Sequence, residues 1–155
     1  MCDAPRQSEE TLGVRPHNVP VNAPNSELNI EWIPDSGFQL RKAGVQFDAV
    51  RVDGDDGRRL ADLMEAITGG EPGPVVTEAS GRRGVYFLVP AGTTAGRAWP
   101  QGVTRLNATT GSVSYVPVPA LTGRTWPLEW RYPPTCPGRF VHTLILLNAA
   151  FLLLG

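Results

Sequence analysis

The sequence predicts an α+β domain, a mainly antiparallel sheet with helices on one side. Three observations carry that expectation. One helix with a clear apolar stripe lies between strand-like runs, several short β-type segments are punctuated by glycine or proline, and an apolar segment closes the chain. With 155 residues the chain is long enough to bury a core, and its 15 prolines and 17 glycines point to a loop-rich, β-containing architecture.

Residues 1–27 are polar and hold Pro5, Pro16, Pro20 and Pro24, so they read as a disordered or loosely packed arm ahead of one domain over 28–155. Leu28, Ile30 and Trp32 alternate with Asn29 and Glu31, which suggests a short edge strand over 28–32. The next strand is expected over 45–52, with imperfect alternation that predicts cover on both faces. The acidic turn Asp53-Gly54-Asp55-Asp56-Gly57 follows, and Asp55 or Asp56 suits a helix N-cap. Leu60, Leu63, Met64 and Ile67 then recur at i, i+3, i+4 and i+7, predicting a helix over about 57–68 that ends at Gly69-Gly70.

Strands are expected over 74–78 and 84–90, joined by the hairpin turn Ala79-Ser80-Gly81-Arg82-Arg83-Gly84. Further strands are expected over 103–106 and 112–118, with an edge strand over 125–130. Prolines at 133, 134 and 137 separate these from a final apolar helix over about 139–154. The run FVHTLILLNAAFLLL falls short of the roughly 20 residues a bilayer span needs. It therefore predicts a buried terminal helix or a subunit-interface helix, and argues against a membrane location.

The opening MCDAPRQSEE lacks the basic and apolar regions of a secretory signal, so a cytoplasmic location is expected. Cys2 and Cys136 give no disulfide framework, no structural bridge is expected, and a reducing compartment is the default. Net charge is −1, which excludes a simply basic nucleic-acid binder. Residues 1–79 hold 7 Arg or Lys against 14 acids, whereas residues 80–155 hold 7 Arg against Glu129 alone. The second half can thus present a basic face to phosphates, unless the fold interleaves the halves. Of the 14 cations only Lys42 is lysine, a bias that reflects GC-rich coding as readily as function.

The segment from 45 to 130 resembles the N-terminal domain of bifunctional DNA primase/polymerases, the prim-pol branch of the archaeo-eukaryotic primase superfamily. Val50-Arg51-Val52-Asp53 stands at that family's Asp-x-Asp strand end, and Ser80-Gly81-Arg82-Arg83-Gly84-Val85-Tyr86-Phe87 at its Ser-Gly-Gly-x-His-x-Tyr-Phe segment. Gly111, Tyr115-Val116-Pro117-Val118-Pro119, Trp126 and Trp130 resemble its later segment. The resemblance implies a reduced primase-like fold and a nucleotidyl-transfer ancestry needing carboxylate-held divalent metals. Asp53 falls on one of the family's carboxylates, but Arg51 falls on the other, Gly84 on its histidine, and Thr104-Arg105-Leu106-Asn107 offers no third acid. What precedes Val45 also lacks the pieces expected of the family.

These residues define the candidate site. Asp53 is the candidate catalytic acid, and Asp53 with Asp55 the candidate metal pair; the alternative for both is a turn or cap. Arg51, Arg82, Arg83 and Tyr86 are the candidate nucleic-acid contacts, with Tyr115 a second candidate for base stacking. For Arg82 and Arg83 the alternative is a solvated turn, for Arg51 an ion pair with a nearby acid such as Asp53 or Asp55, and for the tyrosines core or edge packing. The leading expectation is a catalytically inactive primase-like domain that binds nucleotide or single-stranded nucleic acid weakly, or plays an accessory role. It needs no cofactor. An alternative is a protein-interaction or homodimerisation module that uses the C-terminal helix. A third is an active enzyme with a rewired site of Asp53, Asp55 and Asp48, which would need Mg or Mn. Strand alternation places Asp48 on the face opposite Arg51 and Asp53, which tells against the third.

Overall fold

A computed structural model describes residues 30–109 and 111–155. The arm over 1–27 and the first part of the expected strand over 28–32 lie outside the described residues. In chain order the elements are β1 (Phe38–Lys42), β2 (Phe47–Asp53), α1 (Gly54–Ile67), β3 (Val75–Glu78), β4 (Gly84–Pro90), β5 (Val103–Leu106), β6 (Tyr115–Pro119), β7 (Leu128–Tyr132) and α2 (Thr143–Leu154). The protein is α+β, and every described strand pair is antiparallel. Five strands form a sheet in the order β5-β2-β4-β3-β7, while β1 and β6 form a separate two-stranded ribbon.

Both faces of the five-stranded sheet are covered. One carries Val50, Val52, Val75, Val85, Phe87 and Val89 against Leu60, Ala61 and Met64 of α1 and Leu146, Ala149 and Ala150 of α2. The other carries Phe47, Ala49, Val76, Tyr86 and Leu88 under Val116 and Val118 of the ribbon and under Ile30 and Trp32. Two-sided cover explains why β4 reads as an unbroken apolar run, buried from Gly84 through Val89. The helices do lie on one side, as expected; the ribbon filling the other side was not foreseen.

α1 starts earlier than its periodicity suggests, and its N-cap is Asp53, not Asp55 or Asp56. Asp53 makes no side-chain cap bond. Its carboxylate is held by Arg51 instead, so the cap position is set by the strand end. Gly54 takes φ +67° at the junction, a left-handed conformation that glycine adopts without a Cβ penalty. α2 is shorter than expected because 139–142 is not helical: the Val141 N–H donates to Leu88 O at 2.8 Å. Gly73 packs against that segment so closely that a Cβ would lie 2.8 Å from Val141 N.

The remaining differences are local. Around Ile30–Ile33 the chain turns instead of extending, with the Ile33 N–H bonded to Ile30 O at 3.1 Å, and Trp32 is buried in the ribbon-side core. β1 lies outside the expected strands; it is exposed along its length, Phe38 and Leu40 included, with only Arg41 half-buried. Cys136 is disulfide-bonded, correcting the expectation of no bridge and removing that argument for a reducing compartment. Cys2 lies outside the described residues. Among the described residues no helix is long and apolar enough to cross a membrane.

Candidate functional site

The strand register brings the candidate residues to one end of the sheet. Arg51 lies opposite Tyr86 and Asp53 opposite Gly84, all on the ribbon-side face of β2 and β4. Arg51 grips Asp53 with two bonds: Nε donates to Oδ1 at 2.8 Å and Nη2 to Oδ2 at 3.2 Å. Arg82 Nη1 approaches the same Oδ2 at 3.7 Å. Arg83 Nη1 pairs separately with Asp55 Oδ1 at 3.4 Å. One carboxylate therefore meets two guanidinium groups, and each of Asp53 and Asp55 is engaged by arginine.

Gly84 fits this arrangement sterically. A Cβ there would lie 3.3 Å from both Arg51 Nε and Asp53 Oδ1, and 3.4 Å from the Tyr86 ring. The Arg51–Asp53 pair occupies the space that a side chain at 84 would need. Arg51, Asp53 and Gly84 are thus packed together, and a larger residue at 84 would crowd the ion pair.

Hydrogen bonding to Asp53 raises the Arg51 pKa above its ordinary value, against the opposing effect of burial. Arg51 is consequently a permanent cation and not a proton-transfer group. Tyr86 is only 6% exposed, and burial raises its phenol pKa. The Arg51 guanidinium carbon lies 5.9 Å from its ring centroid. So covered a ring fits the packing alternative for Tyr86, and it lies beside Arg51.

Arg82 and Arg83 are displayed outward, their side chains 78% and 47% exposed. Their turn is fixed by backbone bonds: Arg83 N–H to Ser80 O at 3.0 Å, and Gly54 N–H to Arg83 O at 3.1 Å. Arg83 itself sits at φ +55°, a conformation that costs a non-glycine residue about 1 kcal/mol and needs outside support. Arg58 supplies that support. Its Nη1 donates to Arg83 O at 2.8 Å and to Gly54 O at 3.4 Å, and its Nη2 to Glu78 O at 3.3 Å. One guanidinium ties the start of α1 to both ends of the hairpin. Burial, then the neighbouring Arg83 charge, lowers its pKa.

The sequence reading missed Arg58. The available signal was a cation in the first turns of a helix, where the macrodipole disfavours it and a local acceptor must compensate. Arg58→Ala is expected to cost about 1 kcal/mol, the usual net worth of such bonds. Its distinctive mark should be faster amide exchange in 79–84, with α1 protection retained; unchanged exchange there would show that the clamp is idle.

Asp48 is not part of this site. It is fully buried on the helix-side face, where Oδ2 accepts from the Thr94 N–H at 3.2 Å and Thr94 Oγ1 at 2.8 Å. Asn107 Nδ2 donates in turn to Thr94 Oγ1 at 2.8 Å, so Asp48 anchors the loop after β4. Asp48 and Asp53 are on opposite faces of one strand, and no group of three or more His, Cys, Asp or Glu that could hold a metal occurs among the described residues. Compared with models of known families, with curated proteins and with solved structures, the chain matches none.

Proposed function

We propose that the sheet end formed by β2, the start of α1 and the β3–β4 hairpin is a phosphate-contacting surface. It binds single-stranded nucleic acid or nucleotide weakly, on a primase-like scaffold without catalytic carboxylates. The observation that carries this reading is the clamped hairpin, which fixes the backbone from which Arg82 and Arg83 project into solvent. A fixed turn limits the entropy lost when their guanidinium groups meet a phosphate, which they can contact bidentately. Arg51 serves from beneath: by neutralising Asp53 it removes a charge that would repel phosphate. The resemblance to the prim-pol family supports a nucleic-acid ligand, and the Arg51–Asp53–Gly84 unit supports loss of catalysis. A metal held by Asp53 would have to displace two guanidinium contacts, one of them bidentate.

The test is fluorescence polarisation with a labelled single-stranded oligonucleotide at low salt. Replacing both Arg82 and Arg83 by alanine should weaken binding by about tenfold or more, since each phosphate contact contributes electrostatically. Unchanged binding in that variant would overturn the reading. Primer extension with manganese, lost on Asp53→Ala, would overturn the inactive assignment while leaving the phosphate surface standing.

A further inference from the structure

The two edges of the β1–β6 ribbon differ in what they can pair with. The Ala43 N–H donates to Ser114 O at 2.8 Å, and the Ala120 N–H to Gly37 O at 2.8 Å. Mutually bonded pairs in an antiparallel ladder recur at every second residue. In the observed register these are Gln39 with Val118 and Arg41 with Val116. The N–H and C=O groups of Phe38, Leu40 and Lys42 therefore point away from β6, and they have no backbone partner among the described residues.

The equivalent outward positions on β6 are Tyr115, Pro117 and Pro119. The prolines have no N–H to offer, so that edge is closed to an added strand. β5 is short, with Thr104 and Arg105 exposed, and β7 is bracketed by Pro127 and by Pro133-Pro134. β1 is one residue longer than β5 and free of proline, and its exposed cation, Lys42, stands at its last position. It presents outward backbone groups beside Phe38, 44% exposed, and Leu40, 58% exposed, with Tyr115 exposed on the same ribbon face. Unprotected edges with apolar side chains are surfaces for strand addition.

We propose that β1 is a homodimer edge, with two copies pairing β1 antiparallel about a two-fold axis at Leu40 to give one continuous sheet through both ribbons. The strand Phe38-Gln39-Leu40-Arg41-Lys42 is self-complementary in that register. Leu40 meets the second copy's Leu40, Phe38 meets Lys42, and Gln39 meets Arg41, so no like charges oppose. The outward groups are those of 38, 40 and 42, the set that mutual pairing centred on Leu40 requires. Lys42 can lie over the opposing Phe38 ring as cation on aromatic face. A self-complementary strand favours a second copy over an unrelated peptide, because a two-fold contact uses the same patch twice.

Sedimentation equilibrium of the full chain, from about 1 μM to about 1 mM, a range that covers typical weak interfaces, tests this. A monomer–dimer equilibrium is expected. Leu40→Pro removes the outward N–H at the axis but leaves the β1–β6 bonds, whose donors lie at 39 and 41. Leu40→Lys sets like charges face to face. Each should raise the dimer dissociation constant at least ~10-fold, with the denaturation midpoint little changed. A monomer throughout, or a dimer indifferent to both substitutions, overturns the proposal. So does a dimer lost on Leu152→Asp instead, which would place the contact on α2.

Discussion

Gly57→Ala is expected to destabilise the fold by on the order of 3 kcal/mol, although alanine is the better helix former by about 1 kcal/mol. Gly57 is buried in the first turns of α1, where the helix crosses the sheet. A Cβ at 57 would lie 2.2 Å from Val52 O and 2.7 Å from Val85 Cγ2. The first is backbone of a central strand, so the strain cannot be relieved by turning a side chain. Relief requires α1 to lift from β2 and β4, which opens the core around Leu60 and Met64. The overpacking cost outweighs the propensity gain. Urea denaturation should show a lower midpoint with an unchanged slope. A midpoint equal to or above that of the parent would mean that α1 does not approach the sheet as closely as described.

Leu146→Asp is expected to unfold the protein, at a cost on the order of 4 kcal/mol. Leu146 is fully buried between α2 and the helix-side core, beside Ala149 and Ala150. Aspartate there loses the packing of a leucine and strands a charge without a partner. Leu152→Asp on the same helix should shift stability by less than about 0.5 kcal/mol, because Leu152 is 80% exposed. The pair distinguishes a core helix from an interface helix. A Leu146→Asp variant that stays folded but changes its oligomeric state would make α2 an assembly surface instead.

The elements that the sequence made legible were those with one dominant local cause. α1 could be read because Leu60 and Met64 repeat at helical spacing and Gly69-Gly70 stops the helix; β4 and β5 were placed with their observed bounds. Of the ribbon, β6 was legible within a few residues but β1 was not: it is exposed along its length except for half-buried Arg41, so it has no core-facing apolar stripe. The expected α2 ran too far because Phe140 and Val141 continue its apolar run, while the Val141 N–H bonds to Leu88 of β4, a long-range contact without a local signature.

At the candidate site the alternation of β2 correctly separated Asp48 from Arg51 and Asp53, because a strand side-chain period of two is fixed by geometry. The pairing of Arg51 with Asp53 was legible too, since i and i+2 share a face of one strand. What could not be read was the cover over Tyr86 and the use of Arg58 to hold the hairpin. Both depend on contacts between segments distant in sequence, as with Arg51 opposite Tyr86.

The central claim is that Arg82 and Arg83 meet phosphates from a hairpin built for display. The most direct measurement is the salt dependence of single-stranded oligonucleotide binding by the parent and the Arg82→Ala/Arg83→Ala variant. For single strands each phosphate contact contributes about 0.7 to the slope of log K against log salt concentration. The parent should bind at low salt, and the variant's slope should be shallower by about 1.4. Absence of binding by the parent at low salt, or parallel slopes for the two proteins, would contradict the account.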